Sequence, residues 1–215
     1  MEIGVKEVAA QLGVTERRVR QLIDVGALPA RRVAGRLLVE ETGIPRSRPV
    51  ARPMSPRIAW AFIYLLSDEP IPDISDRELS RLEAKCRTLL ASPQPALLLR
   101  SWLRNRAQLL RVAVSPSEVG GLLEDPRLAP SGISDARSEM SAGREAEGYV
   151  RPRDVEQLMA DHLMAAVNPA NVWLHIVDRP LARPVPLGLV IADLADHDRA
   201  REDARVIELL GSAEP

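Results

Sequence analysis

The sequence predicts an α+β protein, mainly α, with an N-terminal winged helix-turn-helix followed by a helical and mixed α/β body. Three observations lead there. Two short helical periodicities joined by a glycine-containing turn open the chain, and a glycine-centred pair of apolar stretches follows them. A proline- and arginine-rich stretch then interrupts the pattern. Beyond it, long helical periodicities give way to short apolar runs alternating with helices.

Within the head, residues 3–12 place Val5, Val8, Ala9 and Leu12 at helical spacing. Gly13 ends that helix and Val14 enters a turn. Thr15 suits the N-cap of a second helix, and Glu16 is favourable in its first turn. Val19, Leu22 and Ile23 fall on one face, and Gly26 stops the helix as a C-terminal glycine does. Apolar stretches in 28–39 flank Ala34-Gly35, where glycine permits positive φ, so a small β-hairpin, the wing, is expected. Residues 42–56 hold Pro45, Pro49, Pro53 and Pro56, with arginines from Arg46 onward and few apolar side chains. That composition gives a stiff, positively charged linker.

In the body, Pro56 can occupy the first turn of a helix carrying Ile58, Ala59, Phe62, Ile63, Leu65 and Leu66. Ser75 caps a helix running to Leu90, and another is expected over 96–110. Residues 111–114 read as a strand and 116–123 as a short helix. The polar stretch 143–148 reads as a loop, with a brief strand at Tyr149-Val150. A helix over 152–164 turns Val155, Leu158, Met159 and Leu163 inward, and 171–177 reads as a strand. Residues 187–194 fit a buried strand or a helix start equally well, since periodicity alone does not decide. An amphipathic helix over 198–210 closes the chain. The domains expected are a head at 1–44, a linker at 45–56, a helical region at 57–110 and a mixed α/β domain at 111–215.

Bulk properties bound the function. At 215 residues and 46% hydrophobic, the chain supports one large or two small domains with a substantial core. Only 3% of residues are aromatic, so Leu, Val, Ile and Ala must do most of the packing. The net charge of −1 hides an asymmetry. Eleven basic residues face six acidic ones up to Arg57, a net of +5; the remainder holds eighteen and twenty-four, a net of −6. A basic head on an acidic body points to a polyanionic partner for the head alone. Only Lys6 and Lys85 are lysines, so position rather than arginine count carries the argument. The single Cys86 excludes an intrachain disulfide and reads as a helix or core thiol. No secretory signal pattern and no apolar run of about 18 residues is found, so a cytoplasmic protein with no membrane contact is expected.

With Val19 centred on the buried face, a rotation of about 100° per residue points Arg17, Arg20 and Gln21 away from the core and leaves Arg18 on the flank. The second helix of a helix-turn-helix enters the major groove of double-stranded DNA by its N-terminal part. Arginine pairs with guanine O6/N7 and glutamine with adenine N6/N7. Arg17, Arg18 and Gln21 are therefore the expected base contacts. Thr15, Arg20, Arg31, Arg32, Arg36, Arg46 and Arg48 are expected on the phosphate backbone. The ordinary alternative is a solvated, arginine-bearing helix pair.

The stretch VKEVAAQLGVTERRVRQLIDVGALPARRVAGRLLVEE resembles the DNA-binding head of excisionase and MerR-type proteins, matching “LGV(S/T)” and “G.LPA.R..GR..”. The long antiparallel dimerisation helix usual in MerR proteins is absent from the pattern, which disfavours metal or drug sensing. Pro130-Ser131-Gly132-Ile133-Ser134-Asp135-Ala136, then Glu147-Gly148-Tyr149-Val150, the helix 154–163, Asn171-Val172 and LGLVIADLADHDRAREDARVIELL follow the order of the C-terminal half of AbiEi-family antitoxins. That resemblance covers 111–210. It implies an antitoxin that represses its own operon and counteracts a nucleotidyltransferase toxin. If the body forms a homodimer, the operator would be an inverted repeat.

Three other readings stand beside it. One is an excisionase or transcription factor with an architectural or ligand-sensing body. Another is a protein–protein adaptor whose head does not touch DNA. The third is a metalloenzyme built on Asp193, Asp196, His197 and Asp198. That polar run more often marks a helix junction with capping acids, and His162 and His175 read as isolated core or surface histidines. HExxH, GxxxxGK(S/T) and GxSxG are absent, so no enzyme activity, catalytic residue, cofactor or metal is expected.

Overall fold

Two short helices and a three-stranded antiparallel sheet share one small core in the head. The computed structural model describes residues 2–11, 15–24, 30–33, 36–40, 52–140, 143–167 and 169–212. The chain divides into two compact units, Met1–Val50 and Ala51–Pro215. In the first, β1 (Glu2–Gly4) is followed by α1 (Val5–Gln11), α2 (Glu16–Asp24), β2 (Ala30–Val33) and β3 (Arg36–Glu40). The strands lie in the order β1-β3-β2. β2 and β3 pair antiparallel, with Val33 in register with Arg36. Val8, Ala9, Val19 and Val39 form the buried centre, with Ile3, Val5, Ile23 and Ala30 packed against them. The helix expected over 3–12 thus begins only at Val5. Glu2–Gly4 is drawn into the sheet because Ile3 pairs with Val39 and contributes to the core. Gly13, Val14, Gly26, the Ala34-Gly35 turn and residues 41–51, which include the first part of the expected linker 45–56, lie outside the described residues.

The second unit contains α3 (Pro56–Leu66), α4 (Asp76–Leu90), α5 (Pro95–Leu103), β4 (Gln108–Val112), α6 (Val119–Glu124), β5 (Ala129–Pro130), β6 (Ala146–Val150), α7 (Pro152–Asp161), β7 (Val172–Ile176), α8 (Leu187–Asp196) and α9 (Ala200–Ser212). Ser75 starts α4 with a reciprocal cap: its Oγ accepts from Glu78 N while Glu78 Oε2 accepts from Ser75 N. The four strands run in the order β4-β7-β6-β5, with β6 and β7 parallel and the outer pairs antiparallel. Helix α7 makes the crossover that parallel neighbours require.

Strand alternation distributes side chains between two cores. Ala146, Val150, Val172 and Leu174 join Val119, Leu122 and Leu158 on the α6/α7 side. Tyr149, Trp173 and Val177 join residues of α3, α4, α5, α8 and α9 on the other. This second core contains Ile63, Leu82, Leu99 and Leu103 alongside Tyr149, Leu189, Val190 and Val206, so the helical region 57–110 and the mixed region 111–215 share it. Arg100 further ties α5 to the start of α9 through Asp198 and Asp203.

Several boundaries differ from expectation. The helix expected over 96–110 ends at Leu103, because Arg106 turns into the interior and Gln108 begins pairing with β7. Strand β6 begins at Ala146, inside the expected loop 143–148, because the charge of Glu147 is compensated in the interior. Residues 187–194 are helix α8, and every residue from Gly188 to Ala195 is buried.

Helices α3 and α8 meet at close range. A Cβ built on Gly188 would lie 2.4 Å from the Ile63 carbonyl oxygen, and Gly188 N donates to Ser67 Oγ at 2.8 Å. Backbone cannot retreat as a side chain can. Gly188→Ala should therefore cost about 1–3 kcal/mol of unfolding free energy in urea denaturation. An unchanged midpoint would show that the two helices separate freely.

Candidate nucleic-acid interface and the buried ionic centre

In the head, the buried face of α2 is set by Val19, which is fully buried, and Ile23, which is half-buried. Arg17, Arg20 and Gln21 are exposed, as is Thr15 just before the helix. Arg17 and Gln21 are four residues apart and therefore neighbours on the helix surface. Arg20 Nη2 reaches Glu16 Oε2 at 3.1 Å, so part of its charge is offset within the helix. Arg31 is exposed on β2, paired in register with Leu38. The side chains of Arg18, Arg32 and Arg36, and residues Arg46 and Arg48, lie outside the described residues.

The body holds a centre that the sequence reading did not assemble. In register, Glu147 of β6 lies beside Trp173 of β7, and Tyr149 beside His175. All four lie on the sheet face covered by α8, which adds Asp193. Arg106 enters from the turn after α5, and Ser131 from the turn after β5. Asp193, Glu147, His175, Arg106 and Ser131 are all buried. Asp193 Oδ1 accepts from Arg106 Nη2 at 2.5 Å, Arg106 Nε at 3.2 Å and the Tyr149 hydroxyl at 2.9 Å, while Oδ2 accepts from Ser131 Oγ. Arg106 Nη2 also reaches Asp196 Oδ2 at 2.6 Å. One Glu147 oxygen faces His175 Nε2 at 2.9 Å; the other faces His197 Nε2 at 2.9 Å and accepts from Ile133 N at 3.1 Å. Gly132, at φ +52°, leaves the room this needs, since a Cβ there would stand 1.8 Å from Glu147 Oε2.

Electrostatics follow from that geometry. Burial pushes the Glu147 carboxyl up, but the two histidines outweigh it and hold the group well below its ordinary 4.5. Burial, together with nearby Glu147, drives the Asp193 carboxyl up against the pull of His175 and Arg106. Four donors nevertheless converge on Asp193, the environment of an ionised carboxylate. Burial opposes the charge on Arg106, yet Asp196, Tyr149 and Asp193 keep its proton more tightly held than usual. Burial lowers His197, but its bond to Glu147 more than compensates, and its pKa rises above 6.5.

Ligand atoms of Glu147, His175 and Asp193 lie within 4.8 Å of one another, a spacing that could hold a metal ion. The Arg106 guanidinium already stands at Asp193, and both Glu147 oxygens are engaged. A cation here would face a fixed positive charge, so the donor set does not fit a metal site. The run expected to contain capping acids instead supplies ion-pair partners: Asp193 and Asp196 to Arg106, and Asp198 to Arg100. His175 and His197 are joined through Glu147, and His162 Nε2 lies 3.1 Å from Asp125 Oδ2. Cys86 is half-buried, and burial pushes its thiol up, away from the thiolate form. One signal of the centre was present in the sequence: Asp193 sits in LGLVIADLA, where an acid among apolar residues on all sides must be buried and compensated.

Comparison of the chain with protein-family models, with curated proteins and with solved structures gives no match. No helix among the described residues is long and apolar enough to cross a membrane.

Removing Arg106 would leave Asp193 buried and uncompensated. Arg106→Met should lose about 3–5 kcal/mol in urea denaturation, and adding Asp193→Asn should restore part of the loss. If the double variant is no more stable than the single one, charge compensation is not what Arg106 provides.

His197 gives a pH signature. Its folded pKa lies above the unfolded 6.5, so the contribution is complete below pH 6.5 and is lost as pH rises through the folded pKa. Glu147, depressed in the fold, contributes fully above 4.5 and loses its contribution as pH falls. Unfolding free energy should therefore decline from pH 6.5 upward, and His197→Gln should flatten that decline. An identical slope in the variant would assign it to other groups.

Proposed function

We propose that the protein is a sequence-specific DNA-binding antitoxin that represses its own toxin–antitoxin operon and counteracts a nucleotidyltransferase-type toxin. The carrying observation is the exposed pair Arg17 and Gln21, on the side of α2 away from Val19, beside a hairpin that presents Arg31. In this reading α2 enters the major groove. Arg17, Arg18 and Gln21 meet base edges, while Thr15, Arg20, the hairpin arginines and Arg46 and Arg48 meet phosphates. The net charge of +5 up to Arg57, most of it carried by the linker arginines, draws the N-terminal part of the chain to duplex DNA, and the acidic remainder stays off it.

Support for the antitoxin part comes from the body. Segments carrying the AbiEi resemblance contribute jointly to the ionic centre: Ser131 and Gly132 from the first, Glu147 and Tyr149 from the second, and Asp193, Asp196 and His197 from the last. A shared centre gives those residues a common physical reason to occur together. The body then supplies the dimerising or toxin-neutralising surface, in the cytoplasm.

The test is co-expression with the adjacent gene of the operon. Growth should stop when that gene is induced alone and resume when this protein is supplied, with Arg17→Ala losing promoter repression but keeping rescue. A harmless neighbour would exclude the antitoxin reading; an integrase as neighbour would favour the excisionase alternative. In fluorescence anisotropy with operator duplex, Arg17→Ala should cost about 1–3 kcal/mol of discrimination between specific and nonspecific DNA. Arg31→Ala should weaken both equally and reduce the salt slope by about one. Salt-independent wild-type binding would exclude the docking mode.

A further inference from the structure

Parallel strands β6 and β7 end at the same edge of the sheet, and a cavity of about 350 Å³ opens there, lined by Val150 and Val177 at the strand ends. Five arginines from three segments converge on it: Arg127 before β5, Arg151 and Arg153 at the start of α7, and Arg179 and Arg183 after β7. Asp154 is the one acid in the lining. This concentration of guanidinium occurs in the acidic part of the chain, so overall composition does not account for it.

The partners of these arginines divide them. Arg127 is neutralised by Asp125 and Asp161, and its role is to hold the wall. Arg153 lies 3.6 Å from Asp154, with its side chain 69% exposed at the rim. Arg179 packs its guanidinium over the Trp60 ring, 4.3 Å from the centroid, and donates to the Tyr64 hydroxyl at 3.5 Å, while Arg183 donates to the Asp125 carbonyl oxygen; among the described residues neither meets a carboxylate. Among the described residues Arg151 makes no ion pair, and its buried Nε has no hydrogen-bond partner. A charged donor without an acceptor is costly, and the rest of the Arg151 guanidinium is left to the cavity it lines. Arg151 also precedes the first turn of α7, a ten-residue helix whose free N–H groups add positive potential at the same edge. Ligands of open sheets commonly sit beyond the carboxyl ends of parallel strands.

We propose that this cavity binds a small polyphosphorylated ligand, its phosphate oxygens taken by Arg151, Arg179 and Arg183 with Arg153 at the entrance. The volume suits a small molecule, and planar guanidinium groups match phosphate geometry bidentately. The site lies in the body and is independent of the DNA-binding reading of the head.

Isothermal titration calorimetry of the full chain tests it, with pyrophosphate and ATP as probes. Each should bind at one per chain. Equal affinities would identify the diphosphate as the unit recognised, and tighter binding of ATP would identify a nucleotide; both support the site. Arg151→Gln and, separately, the exposed Arg153→Glu should each weaken binding roughly tenfold. Arg17→Ala, in the head, should leave it unchanged. The proposal is overturned if neither probe binds, if binding survives both body variants, if Arg17→Ala abolishes it, or if only a single-stranded oligonucleotide binds. Unchanged thermal midpoints for Arg153→Glu separate loss of the site from loss of the fold.

Discussion

Two buried carboxylates, Glu147 and Asp193, impose the constraint on which the body depends. Each is on an element whose other neighbours are apolar, and each would be prohibitively costly if left uncompensated. Compensation comes from five separate parts of the chain: Arg106 after α5, Ser131 and Ile133 after β5, Tyr149 on β6, His175 on β7 and His197 after α8. Apolar faces alone would let α8 slide or rotate over the sheet. Hydrogen bonds of fixed length allow one placement, and Gly132 is required where the β5 turn passes over Glu147. Aromatic packing follows the same arrangement, with Tyr149 stacked on His175 at 4.8 Å and Trp173 edge-on to His197.

Much of the helical architecture was legible in the sequence, since long amphipathic periods and caps are local. Pro56 opening α3 and the Ser75–Glu78 reciprocal cap of α4 are cases where a few adjacent residues fix a boundary. Where the reading failed, the decisive partner was distant. Nothing near Ile3 reveals that Val39 will pair with it, and nothing near Arg106 reveals Asp193, 87 residues on. Glu147 made its strand look like a loop because its charge is neutralised by histidines 28 and 50 residues away. Asp193 was expected in a polar run of capping acids, although the apolar residues around it in LGLVIADLA demand burial and hence a partner. On the head, the exposed face of α2 followed from helical geometry once Val19 was placed inward.

Charge also differs between the two units, nine basic against six acidic residues up to Val50 and twenty against twenty-four beyond it. The head carries exposed arginine and glutamine on a short helix; the body spends much of its charge internally, in Arg106–Asp193, Arg100–Asp198 and Arg127–Asp125. A head with a small core and outward cations suits a surface that meets DNA. A body whose polar groups specify its own packing suits a stable platform. Under this account the head supplies sequence recognition, and substitutions within the ionic centre act on stability rather than on which sequence is read.

Selection of bound duplexes from a random-sequence pool tests the central claim most directly. The wild-type chain should enrich a discrete motif, and the same selection with Arg17 and Gln21 both replaced by alanine should enrich none while the body remains folded. A pool left unenriched by the wild-type protein, or an identical motif from the variant, would contradict the assignment of α2 as the element that reads DNA.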